Sequence, residues 1–355
     1  MANIFSSIAG KGRIFRNESA LLSDFLPQQL PGREKELRQL AYCLLPVSQN
    51  RQPQHALLIG PPGTGKTSAA KLVLQQLEQY TNHACTLYLN CWEYSSRFAV
   101  LSALADALKE PMPRRGIAAD EVFSRIVEIA KKEEKIPVVV LDEVDRLHAS
   151  YEGVQVIYDL CRAGEAYHLK TAVIAITNDE EFHAKLDPRI RSSFVQNTIF
   201  FPPYTVAQLK EILSSRAQLA FDPLAVEQDV IALCAAVAFK KGGDARVALS
   251  LLHRAGQQAE REGADKVSID HVRKAQDALQ LSKAERKFED LDELEKKIVE
   301  AARGGILSGQ LYAKLSGMAQ ERAIRNRIEK LVKSGILRTE EVRIGKGKTR
   351  KIKTA

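Results

Sequence analysis

The stretch Gly60-Pro61-Pro62-Gly63-Thr64-Gly65-Lys66-Thr67 has the spacing GxxxxGK[ST], the pattern with which a backbone cradles phosphate. The chemistry asks for these residue types. Glycines let backbone N–H groups come close to phosphate oxygens, and a helix starting at the end of the motif adds a dipole that favours negative charge. In this reading Gly63, Thr64, Gly65, Lys66 and Thr67 bind ATP or ADP, with Lys66 reaching the β- and γ-phosphates and Thr67 holding Mg²⁺. A second element, Val138-Val139-Val140-Leu141-Asp142-Glu143, is an apolar run that delivers two carboxylates to its end. Asp142 is suited to hold the metal, directly or through water, and Glu143 to position or deprotonate an attacking water. Asn178 closes a third apolar run, 171–177. Alone it reads as a turn residue or helix cap; one strand after Asp142 and Glu143 it is a candidate γ-phosphate sensor.

These groups must sit at the ends of strands. Residues 56–59 predict a short buried strand ending at Gly60, and the helix after the glycine-rich turn carries Ala69, Ala70, Val73, Leu74 and Leu77 on one face. A strand at 86–90 precedes helices at about 98–108 and 120–132, separated by the breaker Pro111-Met112-Pro113-Arg114-Arg115-Gly116. The runs 138–141 and 171–177 predict two more strands around a helix containing Val154, Ile157 and Leu160. Alternation of this kind implies an α/β fold with a parallel, doubly covered sheet. After Pro202-Pro203 the strand signal stops, and helical patterns run to about Leu281. A charged connector at 282–292 then leads to a terminal module.

A chain of 355 residues exceeds the usual size of one core, so several domains are expected. No apolar run approaches the roughly 20 residues that cross a membrane. No signal peptide is recognisable, and the five scattered cysteines, an odd number without a CxxC pair, read as reduced thiols of a cytoplasmic protein. The net charge is +8, and from Arg303 onward 14 Lys+Arg face 4 Asp+Glu, a net of +10, which leaves the remainder at about −2. Basic character is therefore a property of the last module. It suggests a polyanion, nucleic acid first; a solvated lysine-rich tail is the alternative.

That module reads as helices at 291–302, 308–315 and 319–334, stopped by Gly335, then two strands around Gly345-Lys346-Gly347-Lys348. Three helices and a basic hairpin make the winged-helix pattern. Ile324, Ile328 and Leu331 should pack inward from the third helix, leaving Arg322, Arg325, Asn326, Arg327, Lys330 and Lys333 to its other faces. Such a helix can enter the major groove, with Lys346, Lys348 and Arg350 of the wing beside it against phosphates.

The order of P-loop, Asp142-Glu143, Asn178 and then Gly242-Gly243-Asp244-Ala245-Arg246 in a following helical domain resembles an AAA+ ATPase. More narrowly, the chain is similar to the archaeal replication initiators related to the eukaryotic origin recognition complex and cell-division-control loader proteins. The stretches that carry the likeness are Leu30-Pro31-Gly32-Arg33-Glu34, Pro113-Arg114-Arg115-Gly116, Leu141-Asp142-Glu143-Val144-Asp145, Ile176-Thr177-Asn178-Asp179, Leu186-Asp187-Pro188-Arg189 and Phe201-Pro202-Pro203-Tyr204-Thr205. The resemblance implies an AAA+ domain at 1–204 with an initiator-specific insertion at 92–118, an all-α lid at 205–282 and a winged helix at 283–355. It implies Arg246 as the second sensor, Tyr204 and Arg216 as nucleotide contacts, and Arg97, Arg114 and Arg115 as minor-groove contacts of the insertion.

The likeness further implies an ATP-dependent initiator that binds origin duplex DNA and helps load the replicative helicase beside related initiator paralogues, with no membrane partner. One departure bears on rate. In Arg189-Ile190-Arg191-Ser192-Ser193-Phe194 a serine stands where the arginine finger of such assemblies would align, so Arg189 or Arg191 would have to substitute. Slow hydrolysis used as a switch is the expectation. An AAA+ branch-migration helicase and a nucleotide-regulated transcription regulator are the competing readings of the same motifs.

Overall fold

The computed structural model describes residues 14–113, 116–194, 197–278, 291–334, 336–344 and 347–354, with side chains described except at 343–344, 347–348 and 354. It divides into two compact units, Met1–Val272 and Arg273–Ala355. Among the described residues no helix is long and apolar enough to cross a membrane. All five cysteines are buried free thiols.

The first unit is built on five parallel strands, β1 (Ala56–Ile59), β2 (Ala84–Asn90), β3 (Ile136–Asp142), β4 (Ala172–Thr177) and β5 (Thr198–Phe200), in the order β2-β3-β4-β1-β5. β1, β3 and β4 are buried along their whole length, as a sheet covered on both faces requires. Alternate residues serve alternate layers. Ala56, Leu58, Val138, Val140, Ile174 and Ile176 meet helices α1 (Glu34–Leu44) and α2 (Lys66–Tyr80). Leu57, Ile59, Val139, Leu141, Val173 and Ala175 meet α3 (Arg97–Ala107), α4 (Ala119–Lys132), α5 (Val144–His148) and α6 (Tyr151–Tyr167).

The expected strands are all present, two of them longer than their apolar runs. β2 and β3 pair from Ala84↔Ile136, and the early start of β3 includes Pro137, a residue that argues against a strand when read alone. β5 has no counterpart among the expected strands. Its three residues alternate exposed, buried, exposed at the sheet edge, too short a pattern to register. Two short helices, α7 (Phe182–Lys185) and α8 (Pro188–Phe194), come after β4.

The lid holds α9 (Val206–Ala220), α10 (Gln228–Lys240) and α11 (Ala245–Arg261). Its first helix starts sharply because Thr205 and Gln208 form a capping box, which satisfies two backbone donors at once. The segment 14–31 straps the lid to the sheet domain. Phe15 pairs with Phe221 as an isolated bridge and stacks on its ring at 4.8 Å, and Arg16 and Asn17 donate to the Ala220 carbonyl at 2.8 and 2.9 Å. Gly256 makes room for this aromatic pair, since a Cβ there would lie 2.4 Å from Phe15.

The second unit has helices α12 (Glu293–Ala302), α13 (Ser308–Leu315) and α14 (Glu321–Lys333), with an antiparallel sheet β6-β8-β7 of β6 (Ile306–Leu307), β7 (Leu337–Ile344) and β8 (Gly347–Thr354). Ile324, Ile328 and Leu331 enter its core with Ile298, Leu311 and Ile352, as the helical spacing predicts. At two residues, β6 is too short to show any periodicity in the sequence.

Candidate nucleotide site and nucleic-acid interface

Strand order does the assembling. β4 lies between β3 and β1, so the loop after β1, Asn178 after β4 and Asp142 at the end of β3 come to one edge of the sheet. Lys66 Nζ donates to the carbonyls of Gly60 at 2.6 Å and Pro61 at 2.8 Å and to Asn178 Oδ1 at 2.9 Å. Thr67 Oγ1 donates to Asp142 Oδ2 at 2.7 Å. Asp142 Oδ1 accepts from the Glu143 backbone N–H at 2.9 Å, and Glu143 stands in the left-handed region at φ 56°. A non-glycine residue held there costs about 1 kcal/mol, the kind of strain that collects at functional sites. Burial lowers the Lys66 ammonium to about 8. Burial, then the charges of Asp142 and Asp145, raise the Glu143 carboxyl above the usual carboxylate range, which suits a proton acceptor.

The glycines of the loop are needed for what packs on them. Gly63 has φ +72°, and a Cβ there would fall 1.7 Å from Asp244 Oδ1 of the lid. Gly65 has φ +91°, and a Cβ would fall 2.6 Å from the Tyr204 hydroxyl. Ala245 N–H donates to the Gly63 carbonyl at 3.1 Å, which fastens the start of α11 to the loop. Arg246, the next residue, is half exposed and lies 3.2 Å from Asp244 Oδ2; it lines the same cavity as Lys66, Asp142, Glu143 and Asn178.

The cavity holds about 320 Å³, and its lining also includes apolar residues, Pro27, Leu30 and Pro31 of the strap and Ile212 and Leu249 of the lid. A polar, glycine-rich lining together with apolar residues suits a nucleotide's phosphates and base. Arg216 is buried, donates to the Phe25 carbonyl at 3.1 Å and lies over the Phe25 ring at 4.4 Å, while its Nη1 has no hydrogen-bond partner among the described residues. Tyr204 is buried beneath Arg33. Thus Tyr204 and Arg216 both border the cavity.

A family model described as AAA ATPase domain matches residues 29–176, and one described as Cdc6 AAA+ ATPase-type lid domain matches residues 210–277. An ORC1-type DNA replication protein 1 of Sulfurisphaera tokodaii is 35% identical over 370 residues, covering 99% of this chain and 92% of that protein. The chain belongs to the ORC1-type DNA replication protein family. An ORC1-type DNA replication protein of Pyrococcus furiosus is 34% identical over 375 residues, covering 99% and 89% of the two chains. The structure of the Aeropyrum pernix ORC1 protein in complex with DNA matches with a TM-score of 0.72 at 33% identity, covering 97% of this chain and 94% of that one. The sheet domain of this ORC1-type chain is accordingly an AAA+ ATPase domain that binds nucleotide.

The basic residues of the ORC1-type chain sort by what surrounds them. Arg322, Arg325 and Asn326 are exposed on α14, and Arg350 is exposed on β8. Arg327 and Lys330, read from sequence as left to the outer faces, are 44% and 66% exposed along their side chains and are also paired: Arg327 with Asp292 at 2.9 Å, and Lys330 with the buried Glu295 at 2.8 Å. Arg97 is likewise committed within its domain, between Asp120 at 2.6 Å and Asp159 at 2.7 Å with its side chain 15% exposed, because its helix packs on α4 and α6. Its expected role as an outward contact is corrected to a tie between helices. Arg114, Arg115 and Lys346, and the side chain of Lys348, lie outside the described residues.

The two finger candidates differ. Arg191 Nη2 donates to the carbonyls of Ala184 at 2.6 Å and Leu186 at 3.0 Å, whereas Arg189 is 69% exposed and paired with Asp187 at 2.9 Å. Two further site residues belong to none of the chemical motifs. Arg33, 1% exposed, donates to the carbonyls of Thr64 at 2.8 Å and of Pro202, and so supports the loop from behind. Tyr88 donates to Asp142. Both act across long sequence separations, and only the family-like stretch Leu30-Pro31-Gly32-Arg33-Glu34 hints at the first.

Proposed function

We propose that this chain is an ATP-switched replication initiator that binds origin duplex DNA in the cytoplasm and helps load the replicative helicase beside related initiator paralogues. The observation that carries the ATP part is the meeting of Lys66, Asn178 and the Thr67–Asp142 pair with the lid's Arg246 on one cavity. A hydroxyl and a carboxylate oxygen 2.7 Å apart are the hard oxygen donors that Mg²⁺ takes, so Thr67 and Asp142 would hold it. The metal supplies neutralisation of charge on the β- and γ-phosphate oxygens. Lys66 binds those phosphates, Asn178 orients Lys66 and reports on the γ-phosphate, and Glu143 takes a proton from the attacking water. Arg246 adds positive charge from the lid.

Slow turnover fits the surroundings of the finger candidates: Arg191 is spent on its own chain, and Arg189 must leave Asp187 to reach a neighbour. The DNA part rests on the exposed cations of α14 and β8 and on the relative solved with DNA. Arg114 and Arg115 are the insertion's remaining candidate contacts, and Lys346 and Lys348 those of the wing. Footprinting on origin DNA tests it. Protection should weaken when Lys346, Lys348 and Arg350 are replaced together, and hydrolysis should stay slow with DNA present. Equal affinity for random duplex at every salt concentration would defeat the reading.

A further inference from the structure

Asp142 Oδ2 accepts two hydroxyls. One is Thr67 Oγ1 at 2.7 Å, and the other is the Tyr88 hydroxyl, also at 2.7 Å. Tyr88 sits on β2, where it pairs in register with Val140, so it approaches the carboxylate from the neighbouring strand, and it lines the cavity. With the Glu143 backbone N–H on Oδ1, three donors hold this carboxylate. The ring of Tyr88 is itself held, since Lys71 Nζ lies 4.1 Å from its centroid. Asn90, two residues on and also lining the cavity, is engaged elsewhere, its Oδ1 accepting from Trp92 N–H at 2.9 Å.

The two hydroxyls stand differently toward a metal. Thr67 belongs to the loop that meets the phosphates, and its oxygen is a ligand donor as well as a hydroxyl. Tyr88 reaches only the carboxylate among the site's groups that would hold the ion. We infer that Tyr88 is a positioning residue that sets the magnesium affinity of the nucleotide site by fixing Asp142. The inference rests on the reading of Thr67 and Asp142 as the metal-holding pair. Groups that orient a metal-holding carboxylate are typically worth 10- to 100-fold in metal affinity, and they leave nucleotide contacts made without the metal untouched.

The test uses full-length protein and calorimetric titration of ADP, first in EDTA and then across a magnesium chloride series. For Tyr88→Phe, which keeps the ring under Lys71, the expected result is ADP affinity in EDTA within about twofold of the parent and a magnesium half-saturation raised about tenfold. An equal loss in EDTA and in magnesium would mean a merely structural tyrosine and would overturn the inference. So would an unchanged magnesium dependence. A parent protein whose ADP affinity ignores magnesium would instead overturn the reading of Thr67 and Asp142, which separates the two failures. Lys71→Met provides the second variant: it leaves the hydroxyl in place, and a tenfold magnesium effect there without one in Tyr88→Phe would also count against Tyr88.

Discussion

The guanidinium carbon of Arg33 lies 3.9 Å from the centre of the Tyr204 ring. That contact joins the start of α1 to the chain leading into the lid, and the same guanidinium bonds the Thr64 carbonyl inside the phosphate loop. One buried cation therefore holds three parts of the nucleotide site in register. Replacing it with methionine keeps the volume but leaves the carbonyls of Thr64 and Pro202 without their donor. A loss of about 3 kcal/mol is expected from two buried unsatisfied acceptors, read as a lower urea midpoint at constant slope.

Gly63→Ala asks whether the lid rests on the loop. With φ at +72° and a Cβ due 1.7 Å from Asp244 Oδ1, the variant must displace the start of α11 as well as strain its own backbone. The expected outcome is a loss of about 1–3 kcal/mol of stability and at least roughly tenfold weaker ADP binding. An unchanged ADP affinity would show that the lid does not need this contact.

Affinity for ADP in EDTA should depend on pH through Lys66. The last ionisation of a nucleotide phosphate is centred at about pH 6 and is essentially complete by about pH 7, so above that the ligand no longer titrates. Burial holds the Lys66 ammonium at about 8 in the free protein, and adjacent phosphate favours its charged form. Binding therefore takes up a proton above pH 8. Affinity should be level from about pH 7 to 7.5 and then fall toward tenfold per pH unit, a fall that Lys66→Met abolishes.

Glu143→Gln separates binding from chemistry. The amide keeps the size of the side chain but cannot accept the proton of the attacking water. Single-turnover hydrolysis should slow by about a hundredfold or more with ATP affinity unchanged. Equal hydrolysis would place the base elsewhere in the cavity.

On α14 Arg322 and the ion-paired Arg327 should behave differently toward DNA. Arg322→Ala should weaken binding and lower the salt slope by about one counterion, whereas Arg327→Ala, which breaks the pair with Asp292, should lower stability and leave the slope alone. Matching slopes for the two variants would erase the distinction.

The parts of the site that are legible in the sequence are those whose logic is local. Lys66 and Thr67 announce themselves because phosphate binding fixes glycine, lysine and threonine within eight positions, and Asp142 because an apolar strand must end where its carboxylate begins. Arg33 is illegible because its partners Thr64 and Pro202 stand 31 and 169 positions away, and only the sheet brings them together. Tyr88 hides in the ordinary alternation of a strand. Helical spacing correctly leaves Arg327 and Lys330 outside the core, but it is silent on the carboxylates that pair with them, Asp292 and Glu295. The same limit hides the partners of Arg97.

The strap has a consequence for time. It leaves the lid at the Phe15–Phe221 stack, lines the cavity with Pro27, Leu30 and Pro31, and reaches the sheet domain at Arg33. Under the proposed function, a nucleotide seated in this cavity would be released by a parting of that stack or a joint lifting of lid and strap. The proposed switch would then carry a memory: between openings, what it holds would record the last nucleotide it processed, whatever the surrounding ATP concentration has since become.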